Sequence, residues 1–152
     1  MEKIASFTVD HEKLSSGLYV SRKDSRDGVT VTTFDLRLTA PNREPPMSTG
    51  VMHTIEHIGA TFLRSSDVRD SVVYFGPMGC RTGFYLLMFG DITSTDVLPL
   101  VRRTFEFISA FDGDIPGALP SECGNWSDQD LAGAKAAAAK YLADLADPRL
   151  VY

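Results

Sequence analysis

The feature that most constrains the fold is the alternation of apolar and polar residues at positions 28–40. A period of two is the pattern of a β-strand with one buried face. Val29 and Val31 alternate with threonines, and Phe34, Leu36 and Leu38 then continue the alternation in the opposite phase. This change of phase predicts either a pair of strands or one bulged strand. Two further β-rich runs, residues 71–75 and 83–89, flank a turn at 76–80 and predict a hairpin-like pair.

Three helices are predicted between and after these strands. The first covers residues 51–64, is capped by Ser48 or Thr49, and follows a proline-rich loop. The second begins at Thr95 or Asp96 and ends at the turn 112–114, and the third begins at Asp128. Apolar residues recur along each helix at helical spacing, for example Met52, Ile55, Ile58 and Phe62 in the first. The pattern indicates a mixed α and β protein with one sheet covered by helices.

Chain length and charge narrow the class of protein. A chain of 152 residues with 43% hydrophobic residues suits a single domain over residues 1–152. The net charge of -5 gives no broad basic surface for nucleic acid or an anionic membrane. No apolar run could span a membrane, and the start lacks the apolar core of a signal peptide. We therefore expect a cytoplasmic protein that acts on a small molecule or another protein, with Cys80 and Cys123 kept reduced.

A metal-binding pattern lies in the first predicted helix. His53 and His57 are four residues apart, so their imidazoles project from one helical face, with Glu56 beside them. This H-x-x-E-H order is also that of a class of metallopeptidases, in which the carboxylate handles protons. Cys123, in a glycine-containing turn before the third helix, is a suitable third ligand. Such a set leaves a fourth position open, which is typical of catalytic sites. The alternative is an amphipathic helix whose histidines are ordinary surface or core residues.

Cys80 lies in the compact turn between the two β-rich runs. Arg81 follows it and would favour a thiolate, which makes Cys80 a candidate nucleophile or base. A buried apolar cysteine is the alternative that the sequence leaves open. The flanking glycines, Gly79 and Gly83, predict a close approach of backbone at this turn.

Six segments resemble the S-ribosylhomocysteinase (LuxS) family, in that family's order and spacing and over nearly the whole chain. They are Ser6-Phe7-Thr8-Val9-Asp10-His11, Phe34-Asp35-Leu36-Arg37, Pro41-Asn42, His53-Thr54-Ile55-Glu56-His57, residues 77–85 and Glu122-Cys123-Gly124-Asn125. The resemblance implies an α+β two-layer sandwich, with a mostly antiparallel sheet covered by helices. It also implies a homodimer with active sites at the interface, and ferrous iron as the metal, with zinc or cobalt as substitutes.

The resemblance also implies a role for each matching residue. The metal ligands would be His53, His57 and Cys123. Cys80 and Glu56 would be the acid–base groups, and the substrate contacts would be Ser6, His11 and Arg37. From the residues alone, Asp10-His11 could instead cap a segment, and Arg37 could pair with a nearby carboxylate.

The implied reaction is a lyase reaction on the thioether of S-ribosylhomocysteine. Two carbonyl migrations would precede a β-elimination that releases homocysteine and 4,5-dihydroxy-2,3-pentanedione. The second product is the precursor of the quorum-sensing signal autoinducer-2, and the first would return to the activated methyl cycle.

The sequence departs from the family pattern near the expected pocket. Where the family usually reads Asp-Ile-Ser, this chain reads Tyr74-Phe75-Gly76, which removes a carboxylate expected to hold the amino acid end of the substrate. We therefore expect the metal-assisted chemistry to be kept and recognition of that end to be weakened or altered. The alternatives to the lyase are a homologue with altered thioether specificity, a non-catalytic metal-binding protein, and a small H-x-x-E-H metallopeptidase.

Overall fold

The computed structural model of the chain describes Ile4 and residues 7–152. Within these residues one antiparallel sheet is formed by four strands in the order β1-β2-β4-β3. The strands are β1 (Gly17–Arg26), β2 (Val29–Arg37), β3 (Val72–Pro77) and β4 (Gly83–Phe89). The predicted hairpin-like pair is confirmed, because β3 and β4 pair with each other across the turn that holds Cys80.

The alternating segment 28–40 forms one strand, so its interpretation as a strand pair is wrong. Val29 and Thr33 belong to the sheet face that points away from the helices, whereas Phe34 and Leu36 belong to the helix-covered face. The apolar pattern changes phase because Val29 lies on the outer face, where it is 53% exposed, whereas Phe34 and Leu36 are buried on the helix-covered face. No bulge in β2 is needed. The bulge in this hairpin lies in the partner strand β1, between Val20 and Arg22.

The sequence analysis did not predict β1, whose second half is polar and exposed. The signal that could have revealed it is Asp27-Gly28, the two-residue connection between β1 and β2. Both residues have positive φ, 51° and 81°. A two-residue Asp-Gly connection is a preferred hairpin turn, because glycine and aspartate tolerate this backbone region.

Three α-helices occur in the part of the chain that the structure describes: α1 (Thr49–Arg64), α2 (Ser94–Ala110) and α3 (Leu131–Asp144). Ser48 caps α1 by accepting a hydrogen bond from the Val51 N–H, as predicted. Thr93 and Asp96 form a capping box at α2. The third helix begins after its cap Asp130, and not at Asp128, because residues 128–130 contact α1 instead.

The helices cover one face of the sheet, and the main apolar core lies between the two layers. Phe34 and Leu36 of β2 share this core with Ile55 and Ile58 of α1 and Phe105 of α2, all at most 1% exposed. The α+β class and the antiparallel sheet covered by helices are thus confirmed. No helix among the described residues is both long and apolar enough to cross a lipid bilayer.

Candidate metal centre and acid–base pocket

The three predicted metal ligands come together although Cys123 lies about seventy positions after the two histidines. One ligand atom each of His53, His57 and Cys123 lies within 4.8 Å of the other two. The Cys123 Sγ atom is 3.4 Å from His53 Nε2, and the two imidazole rings meet edge to face. All three side chains are half-buried. The spacing of four residues on α1 therefore turns both imidazoles toward the loop that holds Cys123.

Backbone carbonyl groups orient both imidazoles. The Nδ1 atom of His53 lies 2.9 Å from the carbonyl oxygen of Asp128, and that of His57 lies 2.6 Å from the carbonyl oxygen of Pro116. An Nδ1–H that donates to a carbonyl fixes the tautomer in which Nε2 carries the free lone pair. Both rings are therefore held in the form that binds a metal through Nε2.

Gly117 makes the approach of the Pro116 carbonyl possible. Its φ is +71°, and a Cβ atom at this position would lie 3.1 Å from His57 Nδ1. Any other residue would be strained in this backbone conformation and would crowd the imidazole. The sequence analysis did not single out this glycine, and its signal is weak because its partner lies sixty residues away.

The segment before α3 is joined to α1 through a buried threonine. The Thr54 hydroxyl donates to Gln129 Oε1 over 2.8 Å and accepts from the Asp130 N–H over 2.9 Å. Thr54 is fully buried. These bonds hold the Asp128 carbonyl in place beside His53. The group that orients this ligand is therefore fixed by the packing of α1 against the segment before α3.

The donor set fits a divalent transition metal. Two neutral imidazoles and one thiolate suit zinc, ferrous iron or cobalt better than magnesium or calcium, which prefer oxygen ligands. Three protein ligands leave coordination positions for substrate or water. Glu56 is half-buried on α1, next to His57 and one turn from His53. Its position suits proton transfer beside such a site.

The turn that presents Cys80 is held by backbone hydrogen bonds. The Arg81 N–H donates to the Met78 carbonyl, and Arg81 itself has a φ of 62°. The expected close approach of backbone is found at Gly83, where a Cβ atom would lie 2.3 Å from the Leu36 carbonyl oxygen. It is not found at Gly79, where a Cβ atom would meet nothing within 4 Å. The turn leaves Cys80 exposed, so a buried apolar cysteine is excluded.

The environment of Cys80 favours its thiolate. Partial burial raises the pKa of the thiol, but hydrogen bonds from the side chain and backbone of Thr82 and the positive charge of Arg37 together lower it below its ordinary value. The Thr82 hydroxyl lies 3.1 Å and Arg37 Nη1 lies 3.9 Å from the sulfur. The sequence had suggested Arg81 as the source of this charge. In the structure the charge that favours the thiolate comes from Arg37 on β2.

Arg37 is paired with Asp35, two residues earlier on the same face of β2. Its Nε and Nη2 atoms donate to the two carboxylate oxygens over 3.1 and 2.5 Å. Both side chains are almost completely buried, at 4% and 3% exposure. The pairing with a carboxylate that the sequence left open thus exists, and it leaves Nη1 to donate to Thr82 Oγ1. The spacing of two on a strand could have revealed Asp35 as the partner.

A cavity of about 300 Å³ lies beside Cys80 on the sheet face away from the helices. His11 and Arg37 line it together with Asp35, Tyr85 and Tyr152. The Nδ1 atom of His11 is bound to the Val9 carbonyl over 2.8 Å, which leaves Nε2 free to face a ligand. Two of the three predicted substrate contacts therefore share a pocket with Cys80. Ser6, the third, lies outside the described residues.

The metal ligands do not line this pocket. Its walls come from residues 7–11, the outer face of β2 and β4, and the turn 77–80, whereas the ligands lie on α1 and the loop before α3. Because α1 covers the opposite face of the sheet, one chain does not bring Cys80 and the three ligands into this cavity.

Tyr74 lies in a neighbouring cavity of about 370 Å³, which shares Ser21 and Tyr85 with the first. Its phenol lies over Gly76, where a Cβ atom would be 1.9 Å from the Tyr74 hydroxyl oxygen. The two departures from the family pattern are thus spatially coupled, since the Tyr74 conformation requires glycine at position 76.

An α+β fold that brings together three side chains able to hold a metal and, in a separate pocket, a thiol of lowered pKa is typical of a metal-dependent enzyme. The family model of S-ribosylhomocysteinase (LuxS) matches residues 4–149. The chain belongs to this family, which confirms the resemblance stated from the six segments.

Curated relatives agree with this assignment. An S-ribosylhomocysteine lyase of Finegoldia magna is 56% identical over 142 residues, 93% of this chain and 90% of the relative. One of Clostridium acetobutylicum is 53% identical over 156 residues, covering 100% and 99%. One of Phocaeicola vulgatus is 54% identical over 143 residues, covering 93% and 89%.

Proposed function

We propose that this chain is the carbon–sulfur lyase that converts S-ribosylhomocysteine to homocysteine and 4,5-dihydroxy-2,3-pentanedione. The observation that supports it most is the joint presence of a metal triad and a thiol of lowered pKa in a chain so similar to S-ribosylhomocysteine lyases. A storage or structural metal site has no use for a base of this kind. A peptidase of the H-x-x-E-H type has no use for Cys80.

In this proposal His53, His57 and Cys123 hold ferrous iron, with zinc or cobalt as substitutes. When bound, the ion would supply Lewis-acid stabilisation of negative charge on substrate oxygens. The protein holds both imidazoles in the required tautomer through the carbonyls of Asp128 and Pro116. Removal of either carbonyl contact would weaken binding without removing a ligand.

Cys80 and Glu56 act as the proton-transfer groups. The carbonyl of the sugar must move from C1 through C2 to C3, and each move takes a proton from carbon and places one on the neighbouring carbon. With the carbonyl at C3 the C4 proton is acidic. Its removal, with departure of the homocysteine thiolate from C5, completes the β-elimination. The Cys80 thiolate can accept such protons, and Thr82 and Arg37 stabilise it by lowering the pKa of the thiol.

Ser6, His11 and Arg37 are the proposed substrate contacts. His11 and Arg37 line the Cys80 pocket. Since Arg37 already donates to Asp35 and Thr82, its main effect is electrostatic: it brings positive potential to the wall where substrate hydroxyls and enediolate oxygens would lie. His11 Nε2 is free to exchange a hydrogen bond with a sugar hydroxyl.

The proposal includes a homodimer whose active sites join the metal triad of one copy to the Cys80 pocket of the other. The sheet face away from the helices supports it, because Val29, Tyr74 and Phe89 on this face are 46–53% exposed. Thr33, on the same face, is the single side chain among the described residues with a buried polar atom that lacks a hydrogen-bond partner. We further propose one domain over residues 1–152 and a cytoplasmic location.

Mixing two inactive variants tests the shared site. Copies with Cys80→Ala and copies with His57→Ala should each be inactive, and after unfolding and joint refolding about one quarter of the wild-type activity should return. That fraction follows because half of the dimers are mixed and each mixed dimer has one intact site. No recovery from folded, mixed dimers would show that each site belongs to one chain.

Product identity tests the function itself. Iron- or cobalt-loaded protein should convert S-ribosylhomocysteine to homocysteine, detected by mass spectrometry, and to a vicinal diketone, trapped with an aromatic diamine. The same protein should release no new amines from casein. Turnover of a related thioether but not of S-ribosylhomocysteine would support the alternative of altered specificity. The reason to consider this alternative is that Tyr74 replaces the carboxylate usual in the family. No turnover by fully metallated protein would leave a non-catalytic metal-binding role.

A further inference from the structure

Tyr152 makes a partly buried polar contact beside the Cys80 cavity. Its hydroxyl donates to Asp35 Oδ2 over 2.9 Å, and its ring stacks on that of Tyr19 with centroids 4.6 Å apart and planes 13° from parallel. The side chain also lines the Cys80 cavity. Tyr152 is thus fixed at both its ring and its hydroxyl, although 47% of the residue is exposed.

From this hydroxyl, an unbroken series of contacts leads to the sulfur of Cys80. Asp35 Oδ2 accepts from both Tyr152 and Arg37 Nη2. Arg37 Nη1 donates to Thr82 Oγ1 and lies 3.9 Å from the sulfur, and Thr82 Oγ1 lies 3.1 Å from the same sulfur. Asp35 and Arg37 lie on β2, and Thr82 and Cys80 lie in the turn between β3 and β4. Tyr152 is the member that comes from beyond α3.

We propose that Tyr152 is a positioning residue for Cys80: its hydroxyl holds Asp35, which holds Arg37 against Thr82 and the thiol. The proposal deepens the lyase function and, for its effect on turnover, rests on it. It assigns no direct contact between Tyr152 and the reacting atoms.

The direction of the effect follows from the charges around Cys80. The charged and titratable groups that line the two cavities onto which Cys80 opens are His11, Asp35, Arg37, Glu44, Tyr85 and Tyr152. Without the Tyr152 hydroxyl, Asp35 loses a hydrogen bond that orients the carboxylate and offsets its negative charge. Asp35 then opposes the thiolate more strongly and draws Arg37 toward itself, away from Thr82 and the sulfur. Both changes favour the thiolate less and raise the pKa of Cys80 toward its ordinary value.

The test is the rate at which iodoacetamide alkylates Cys80 in metal-loaded protein, followed by mass spectrometry of the peptide that contains Cys80. At about pH 7, Tyr152→Phe should react about three- to tenfold more slowly than wild type, and the rates should converge at high pH. Tyr19→Phe is the matched control. It removes a hydroxyl from the other ring of the stack, but that hydroxyl donates to the Ser15 carbonyl. It should react within about twofold of wild type.

Turnover gives a second readout: Tyr152→Phe should lower kcat with KM within about twofold of wild type. The proposal is overturned if Tyr152→Phe is alkylated at Cys80 at the wild-type rate across the pH range. It is also overturned if Tyr19→Phe slows alkylation as much as Tyr152→Phe does. Alkylation needs no substrate, so it decides the role of Tyr152 even if wild-type protein fails to cleave S-ribosylhomocysteine. That failure would count against the proposed function alone.

Discussion

Asp35→Asn removes the negative partner of a buried arginine and should destabilise the fold strongly. The Arg37 and Asp35 side chains are 4% and 3% exposed and share two hydrogen bonds. Removing one member of such a buried pair costs about 3–5 kcal/mol, because the remaining charge has lost its compensation. Asparagine keeps one acceptor for Arg37, which places the expected loss near the lower end, about 3 kcal/mol.

Urea unfolding followed by circular dichroism measures this loss. With a slope of about 2 kcal/mol per molar urea, the midpoint should fall by about 1.5 M at unchanged slope. Wild type and variant must be compared at equal protein concentration and metal loading, because assembly and ligand binding both add to apparent stability.

Asp67→Asn is the matched control for this measurement. It breaks the pair of Asp67 with Arg103, whose side chains are 72% and 52% exposed, and should move the midpoint by less than about 0.3 M. If Asp35→Asn also moves it by less than about 0.3 M, the buried pair does not stabilise the fold as argued.

Further substitutions test the Cys80 pocket, the metal centre and the neighbouring cavity that holds Tyr74. Thr82→Val removes the hydroxyl between Arg37 and Cys80, so the pKa of Cys80 should rise. The limb of the pH profile on which kcat/KM increases with pH should then move to higher pH by about half to one unit. An unchanged position of this limb would contradict the role of Thr82. Gly117→Ala should weaken metal binding about tenfold in competition with a chromophoric chelator, because its Cβ would crowd His57. Gly113→Ala, whose Cβ would meet nothing closer than 3.8 Å, should bind like wild type, and equal affinities for both variants would refute the role of Gly117. Tyr74→Asp combined with Gly76→Ser should raise kcat/KM for S-ribosylhomocysteine. Gly76→Ser alone should destabilise the protein, because Tyr74 occupies the space of the new side chain; simple additivity of the two changes would show that the positions are independent.

Period-two and helical patterns predicted most elements, since each depends on local residues. The caps at Ser48 and the β3–β4 pairing follow from short-range chemistry of this kind. The strand β1 was missed because its outer half is exposed and carries few apolar residues. The phase change in β2 was interpreted as a strand pair or a bulge because the alternation rule assumes that a strand buries one face. Near Phe34 and Asp35 both faces of β2 are buried, so the rule does not apply there.

The identity of the metal ligands could be predicted from the sequence. Two histidines at helical spacing are a local pattern, and only one further ligand, a cysteine, had to be found elsewhere in the chain. What orients them was not predictable. The carbonyls of Pro116 and Asp128 carry no side-chain signature, and they reach His57 and His53 only through the tertiary packing of the loop before α3. In the same way, Tyr152 meets Asp35 across 117 positions, so no sequence spacing indicates the contact.

The proposed lyase reaction requires both the metal triad and the separate thiol of Cys80. The measurement that tests this most directly is homocysteine release from S-ribosylhomocysteine, followed with a thiol reagent beside the metal content of each preparation. Wild type should bind metal and release thiol, Cys80→Ala should bind metal to the same extent and release none, and His57→Ala should lose both. Thiol release by metal-loaded Cys80→Ala at the wild-type rate would contradict the account, because the proton transfers would then not depend on Cys80.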